Sequence, residues 1–189
     1  CEKIHPLILL KNKKLLLYAT MIFLYLGYES IGPVYIKQLF LNAGSSDQIA
    51  VTSISIFWIS MIAARLICIF MGGKERMVIC IFTTFVIISV ILMLIAKSDG
   101  LRMVAVLLYG FGCGPVWPML FVLSSKVFPE RSGAVYSVMM LFANAGYIFF
   151  PAIFGSWIDN AGITLIGCAL LAAIVFFGMY FLHNALLSQ

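Results

Sequence analysis

Six long apolar runs, separated by short clusters of turn-forming residues, constrain this chain more than anything else in it. They cover approximately residues 15–41, 49–71, 77–96, 101–123, 133–158 and 163–187. Each is close to the roughly 20 residues that a helix needs to cross a bilayer. The breaks at 42–47, 72–76, 97–100, 124–132 and 159–162 are rich in Gly, Asn, Asp and Ser, which favour turns over continued helix. The runs are too long for strands, and a membrane barrel would need repeated alternation of polar and apolar residues. The pattern predicts an all-α membrane protein of six transmembrane helices over 15–187, preceded by a loop segment at 1–14.

Composition agrees. Hydrophobic residues make up 63% and charged residues 10% of the 189, against roughly 45–50% and about 25% in an ordinary soluble domain. A soluble sphere could not cover itself with so few charges, which excludes a secreted disulfide module, a disordered tail and a DNA-binding domain. Lipid is the expected partner of the outer surface. The net charge of +5 does not indicate nucleic acid, because the basic residues sit in the short gaps without interleaved aromatics. Four of the five cysteines, Cys68, Cys80, Cys113 and Cys168, lie inside apolar runs, and none has a metal-binding spacing with Cys1 or with another; small packing residues are expected. His5 and His183 have no ligand set near them, so no metal or cofactor is assigned. The chain opens on Cys1 without a signal-peptide pattern, and it reads as a piece of a longer protein.

The basic residues serve as topology signals. With six spans, both ends and the even-numbered gaps share one side, which holds Lys3, Lys11, Lys13, Lys14, Lys74, Arg76, Lys126 and Arg131. The other side holds Lys97 and Arg102, while Lys37 and Arg65 lie within helix ends. The excess places both termini in the cytoplasm. An internal echo relates the first span to the fourth: Gly32-Pro33-Val34-Tyr35 against Gly114-Pro115-Val116-Trp117. Two three-helix units inserted in opposite senses would carry such an echo in this register.

Glu29 is the outstanding chemical position. It stands near the middle of its span, where a carboxylate costs several kcal/mol unless paired, hydrated or protonated. Such an acid can carry a proton across the membrane or accept hydrogen bonds from a hydroxyl-rich solute; otherwise it serves as an interhelical packing bond. Asn144 lies at similar depth and offers both donors and an acceptor, to a solute or to a carbonyl freed by Pro151. Tyr25, Tyr28, Trp58, Tyr109, Trp117 and Tyr147 fall in the inner half of their spans. Tyr28, Trp117 and Tyr25, one helical turn from Glu29, are assigned to a cavity with Glu29 and Asn144. Packing is expected of the other aromatics taken singly. Gly110, Gly112 and Gly114 with Pro115 and Pro118 make the fourth span thin and bendable, either as a gating segment or for tight packing alone. Lys37 and Arg65 can reach the headgroups, and Arg65 could also pair with Glu130 or with an inner-gate acid supplied by another half of the protein.

The order of motifs resembles the C-terminal half of a major facilitator superfamily transporter. Leu9-Leu10-Lys11-Asn12-Lys13-Lys14-Leu15 resembles the end of the central cytoplasmic loop. Ala64-Arg65 with Gly72-Gly73-Lys74-Glu75-Arg76 resembles a degraded form of the superfamily's basic loop motif, without its usual Asp. Phe128-Pro129-Glu130-Arg131-Ser132-Gly133, then Ala143-Asn144-Ala145-Gly146, Pro151, Gly155 and Asp159 through Gly162, resembles the eleventh helix and its flanks. Tyr25-Leu26-Gly27-Tyr28-Glu29-Ser30-Ile31-Gly32 resembles the seventh helix of the fucose–galactose–glucose:proton symporter group. The resemblance implies six helices as two inverted three-helix repeats, with helices 1, 2, 4 and 5 facing a cavity and 3 and 6 facing lipid. It implies a secondary transporter of a small polar solute, a sugar, coupled to protons in a cell membrane, a bacterial one. It further implies a partner bundle of six N-terminal helices, a gating role for Gly112, Gly114, Pro115 and Pro118, and a loop-and-gate role for Arg65, Lys74 and Arg76. A drug:proton antiporter and a non-transporting membrane scaffold stay open. No Ser-His-Asp, HExxH or P-loop pattern supports an enzyme.

Overall fold

The computed structural model describes residues 12–157 and 160–183. Among them, six helical spans are long and apolar enough to cross a membrane, and there is no strand. Helix α1 (Lys13–Asn42) forms the first span. Helix α2 (Asp47–Cys68), extended by a 3₁₀ turn at Ile69–Met71, forms the second, and α3 (Glu75–Ile95) the third. The fourth span consists of two helices, α4 (Asp99–Cys113) and α5 (Val116–Val127). The fifth is α6 (Ser132–Phe154), entered through the turn Pro129–Arg131, and the sixth is α7 (Ala161–Phe177), ending in a π turn at Gly178–Leu182. Most of the expected loop at 1–14, with Cys1, Lys3, His5 and Lys11, lies outside the described residues. So do Asp159 and the span ends expected at 158 and 184–187.

The turn clusters supply the helix starts. Asn12 accepts hydrogen bonds from the amides of Lys14 and Leu15. Ser46 and Ser98 cap α2 and α4, with Asp47 and Asp99 in the first turns, where a carboxylate offsets the helix dipole. At that end of the bundle Ser45 Oγ donates to Asp99 Oδ1 at 2.6 Å, Arg102 pairs with Asp99 at 2.9 Å, and Lys37 pairs with Asp47 at 3.1 Å. Lys37 therefore has a protein partner as well as the headgroups expected for it. At the opposite end Lys126 pairs with the buried Glu75 at 2.5 Å, which joins the start of α3 to the end of α5.

The helix pairings have an exchange symmetry. The first span packs on the fifth and sixth, and the fourth packs on the second and third. Swapping spans 1, 2, 3 with 4, 5, 6 maps one set onto the other, while the pairing of α3 with α7 maps onto itself. Three crossings reverse the direction of the chain, so two such units are inverted relative to one another. The first and fourth spans are the most buried, and the second and fifth the most open. Helix α3 departs from a purely lipid-facing helix: Val78, Ile79, Phe82, Val86 and Val90 are buried, while Ile88, Ile91 and Ile95 face out. Its near-uniform apolarity concealed this difference, because a helix surface against lipid and one against other helices are both apolar.

Candidate functional site

One face of each of four spans lines a cleft of about 400 Å³. From α1 come Leu26, Glu29, Ser30 and Pro33, with Val34 beside them, and from α6 Met140, Ala143, Asn144 and Tyr147. Both sets have the i, i+3, i+4, i+7 spacing of a single helix face. Helix α2 contributes Trp58 and Arg65, two turns apart, and α5 contributes Trp117. The third and sixth spans contribute nothing to the lining.

Glu29 and Arg65 are the ionic pair of this cleft. Arg65 Nη2 lies 3.4 Å from Glu29 Oε1, with the Glu29 side chain only 12% exposed. The same guanidinium donates through Nε to the carbonyl of Gly114 at 3.2 Å and lies 5.9 Å from the centroid of the Trp117 ring. An intramembrane carboxylate needs such a partner, and the indole adds a cation–π contact. The indole Nε1 of Trp117 is buried without a hydrogen-bond partner among the described residues.

Arg65 finds an acceptor at Gly114 for a covalent reason. A helical carbonyl accepts from the amide four residues on, and for Gly114 that residue is Pro118, which has no N–H. The neighbouring Cys113 carbonyl, at the end of α4, accepts from the Tyr25 hydroxyl at 3.1 Å. Helix α5 restarts with the Met119 amide on the Pro115 carbonyl at 3.1 Å. The break therefore presents two carbonyls, one held from α1 and one from α2. In α1, Pro33 similarly leaves the carbonyl of Glu29 without its helical donor, although α1 continues through it.

Several residues lie elsewhere than the sequence reading placed them. Tyr25 and Tyr28 do not line the cleft; both are fully buried between helices. Tyr25 stands behind Glu29, its hydroxyl donating to the Cys113 carbonyl and also facing the Glu29 carboxylate, while the carbonyl of Tyr28 accepts from Tyr109 at 2.8 Å. The aromatics left to packing, Trp58 and Tyr147, are 47% and 58% exposed and form cleft walls. Spacing along one helix could not separate the cases, because the rotation of each helix is set by packing. Asn144 lines the cleft and makes no hydrogen bond among the described residues, so it does not satisfy a carbonyl freed by Pro151.

Arg65 pairs with Glu29, not Glu130. The three basic residues grouped as a loop and gate are thereby separated. Lys74 is exposed in the turn before α3, and Arg76 donates to the carbonyls of Met179 and Tyr180 at 2.8 and 2.5 Å. Gly112 packs against the backbone of α3, and Gly114 against α2. Gly114 and Pro115 form the break itself, while Pro118 lies in the first turn of α5. The four described cysteines are free and buried, and no group of residues suited to a metal exists among the described residues.

Six apolar spans, four of which line a mostly apolar cleft holding one ion pair, define a multi-pass membrane protein with a solute-sized cleft. The family model described as Major Facilitator Superfamily matches residues 3–151, and the chain belongs to that superfamily. Its members are transporters, so the cleft belongs to a transporter. No curated protein matches the chain.

Proposed function

We propose that this chain forms one half of the path of a proton-coupled secondary transporter for a small polar solute, with a sugar as the class that suits the cleft best. The observation that carries the reading is Glu29, a nearly enclosed carboxylate at mid-span that borders the cleft together with Arg65. A proton on Glu29 weakens its hold on Arg65, and a solute hydroxyl can then use either group. Trp58, Trp117 and Tyr147 offer ring faces to the CH faces of a sugar, and Asn144 offers a free amide. The likeness of 25–32 to the seventh helix of the fucose–galactose–glucose:proton symporter group points the same way. A six-helix partner bundle closes the open side of the cleft, so that the two bundles rock about it. The excess of basic residues at the ends bearing Lys74 and Lys126 supports a cytoplasmic position for them.

The test uses the full-length protein in proteoliposomes, a panel of radiolabelled hexoses and an imposed proton gradient. Glu29→Gln keeps the shape of the side chain and removes its titration. Uphill accumulation should collapse while counterflow exchange persists, since exchange moves no net protons. Undiminished uphill uptake by Glu29→Gln would exclude the coupling role. Uptake of lipophilic cations, with no hexose carried, would replace the sugar by a drug-like substrate.

A further inference from the structure

We infer that Arg65 acts as the missing hydrogen-bond donor of the fourth span and thereby makes the break in that span answer to the charge on Glu29. The inference rests on the reading of Glu29 as a group that gains and loses a proton. Its geometry is independent of the solute.

The argument starts from Pro118. Its ring removes the amide that would close a helical turn on Gly114, so that carbonyl needs a donor from outside its own helix. Arg65 Nε supplies one at 3.2 Å, from α2. Arg65 can reach so far because α2 and α4 approach closely: a side-chain carbon on Gly114 would stand 2.6 Å from the carbonyl oxygen of Met61. The other arm of the fork is held by Glu29 at 3.4 Å, from α1. One planar group therefore joins an acid on α1 to a main-chain oxygen at the break between α4 and α5.

The groups around Glu29 leave Arg65 as its cationic partner among the described residues. On α1 its neighbours are Tyr25, whose hydroxyl faces the carboxylate, and Tyr28, and from α4 the thiol of Cys113. From α6, Asn144 and Tyr147 border the same cleft. None of these carries a positive charge. Neutralising Glu29 removes the charge that orients the fork, and Arg65 then divides its time among Gly114, the face of Trp117 and solvent in the cleft. The Gly114 carbonyl loses its steady donor, and the two halves of the span are freer to bend against one another. Arg65 is a positioning residue in this scheme, since it transmits the state of Glu29 to the backbone.

Amide hydrogen exchange over residues 110–122 tests it, on the full-length protein in lipid nanodiscs at a single pH, without solute or gradient. Glu29→Gln should speed exchange in this segment by about tenfold, the scale of one charge-assisted hydrogen bond. Arg65→Gln should speed it at least as much, and the double variant should be no faster than Arg65→Gln alone. Pro118→Ala restores an amide donor for Gly114; exchange should slow and become indifferent to Glu29→Gln. Additive effects of the two single variants would overturn the inference. So would a Glu29→Gln effect that survives in the Pro118→Ala background, a comparison that decides the matter even if Arg65→Gln does not fold. The equilibrium readout and the transport assay can fail separately: loss of coupling without the exchange pattern overturns the role given to Arg65, and the exchange pattern with intact uphill uptake overturns only the proton role.

Discussion

Two buried tyrosines tie the first span to the fourth, whereas Tyr147 walls the cleft. Tyr25 and Tyr109 are fully buried and reciprocal: the first donates from α1 to Cys113 of the fourth span, the second from α4 to Tyr28 of the first. Tyr25→Phe should leave the Cys113 carbonyl unpaired and lower stability by about 1–3 kcal/mol, with solute affinity per folded molecule unchanged. Trp58→Ala and Tyr147→Phe change exposed cleft walls and should do the reverse, weakening binding with little change in stability. Thermal unfolding in detergent beside equilibrium solute binding checks both; a Tyr25→Phe variant that loses affinity at full stability would return Tyr25 to the cleft. Glu29 was legible from the sequence because an acid in an apolar run is costly wherever it points. Its partnership with Arg65 was not, since 36 residues separate the two and only the docking of α2 on α1 and α4 brings them together.

At the scale of the element, the fourth span shows most plainly how residues with local effects make a device. The prolines at 115 and 118 announced a bend, and the break at Gly114 and Pro115 follows from the amides they lack. The glycines have a second effect. Gly110 and Gly114, one turn apart, face α2, while Gly112 faces α3, so the span approaches two neighbours closely at once. A side-chain carbon on Gly110 would collide with Ser60 Oγ and the carbonyl of Phe57. Gly110→Ala should therefore destabilise by about 1–3 kcal/mol through overpacking. Gly133→Ala, in the first turn of α6 with open space around it, should be neutral or slightly stabilising through helix propensity. Equal losses at the two positions, measured by thermal unfolding, would mean that close approach is not what Gly110 provides.

For the whole molecule, two features follow from the repeat. The buried first and fourth spans form the centre, and α2 and α6 flank the cleft with large apolar side chains facing out, among them Ile59, Ile62, Leu141 and Ile148. In a membrane such faces need lipid or another bundle against them, not water. Topology is the directly testable property. A membrane-impermeant maleimide should label a cysteine introduced at the exposed Asn160 in intact cells, and one at the exposed Lys74 only after permeabilisation. The opposite pattern would invert the orientation drawn from the basic residues.

The number of spans, their turns and caps, the acid at mid-depth and the bend of the fourth helix were all determined by the sequence alone. Each follows from a local cost: apolar length against bilayer thickness, side-chain caps for free amides, an amide missing at proline. The facing of each helix was decided only in the tertiary structure. In water an apolar stripe marks the buried side, but here lipid and protein interior are equally apolar, and the stripe carries little information. Helix rotation was set instead by close backbone contact at glycines and by a few long polar reaches, Tyr25 to Cys113, Tyr109 to Tyr28 and Arg65 to Gly114 and Glu29. Those reaches placed Trp58 and Tyr147 in the cleft and moved Tyr25 and Tyr28 out of it.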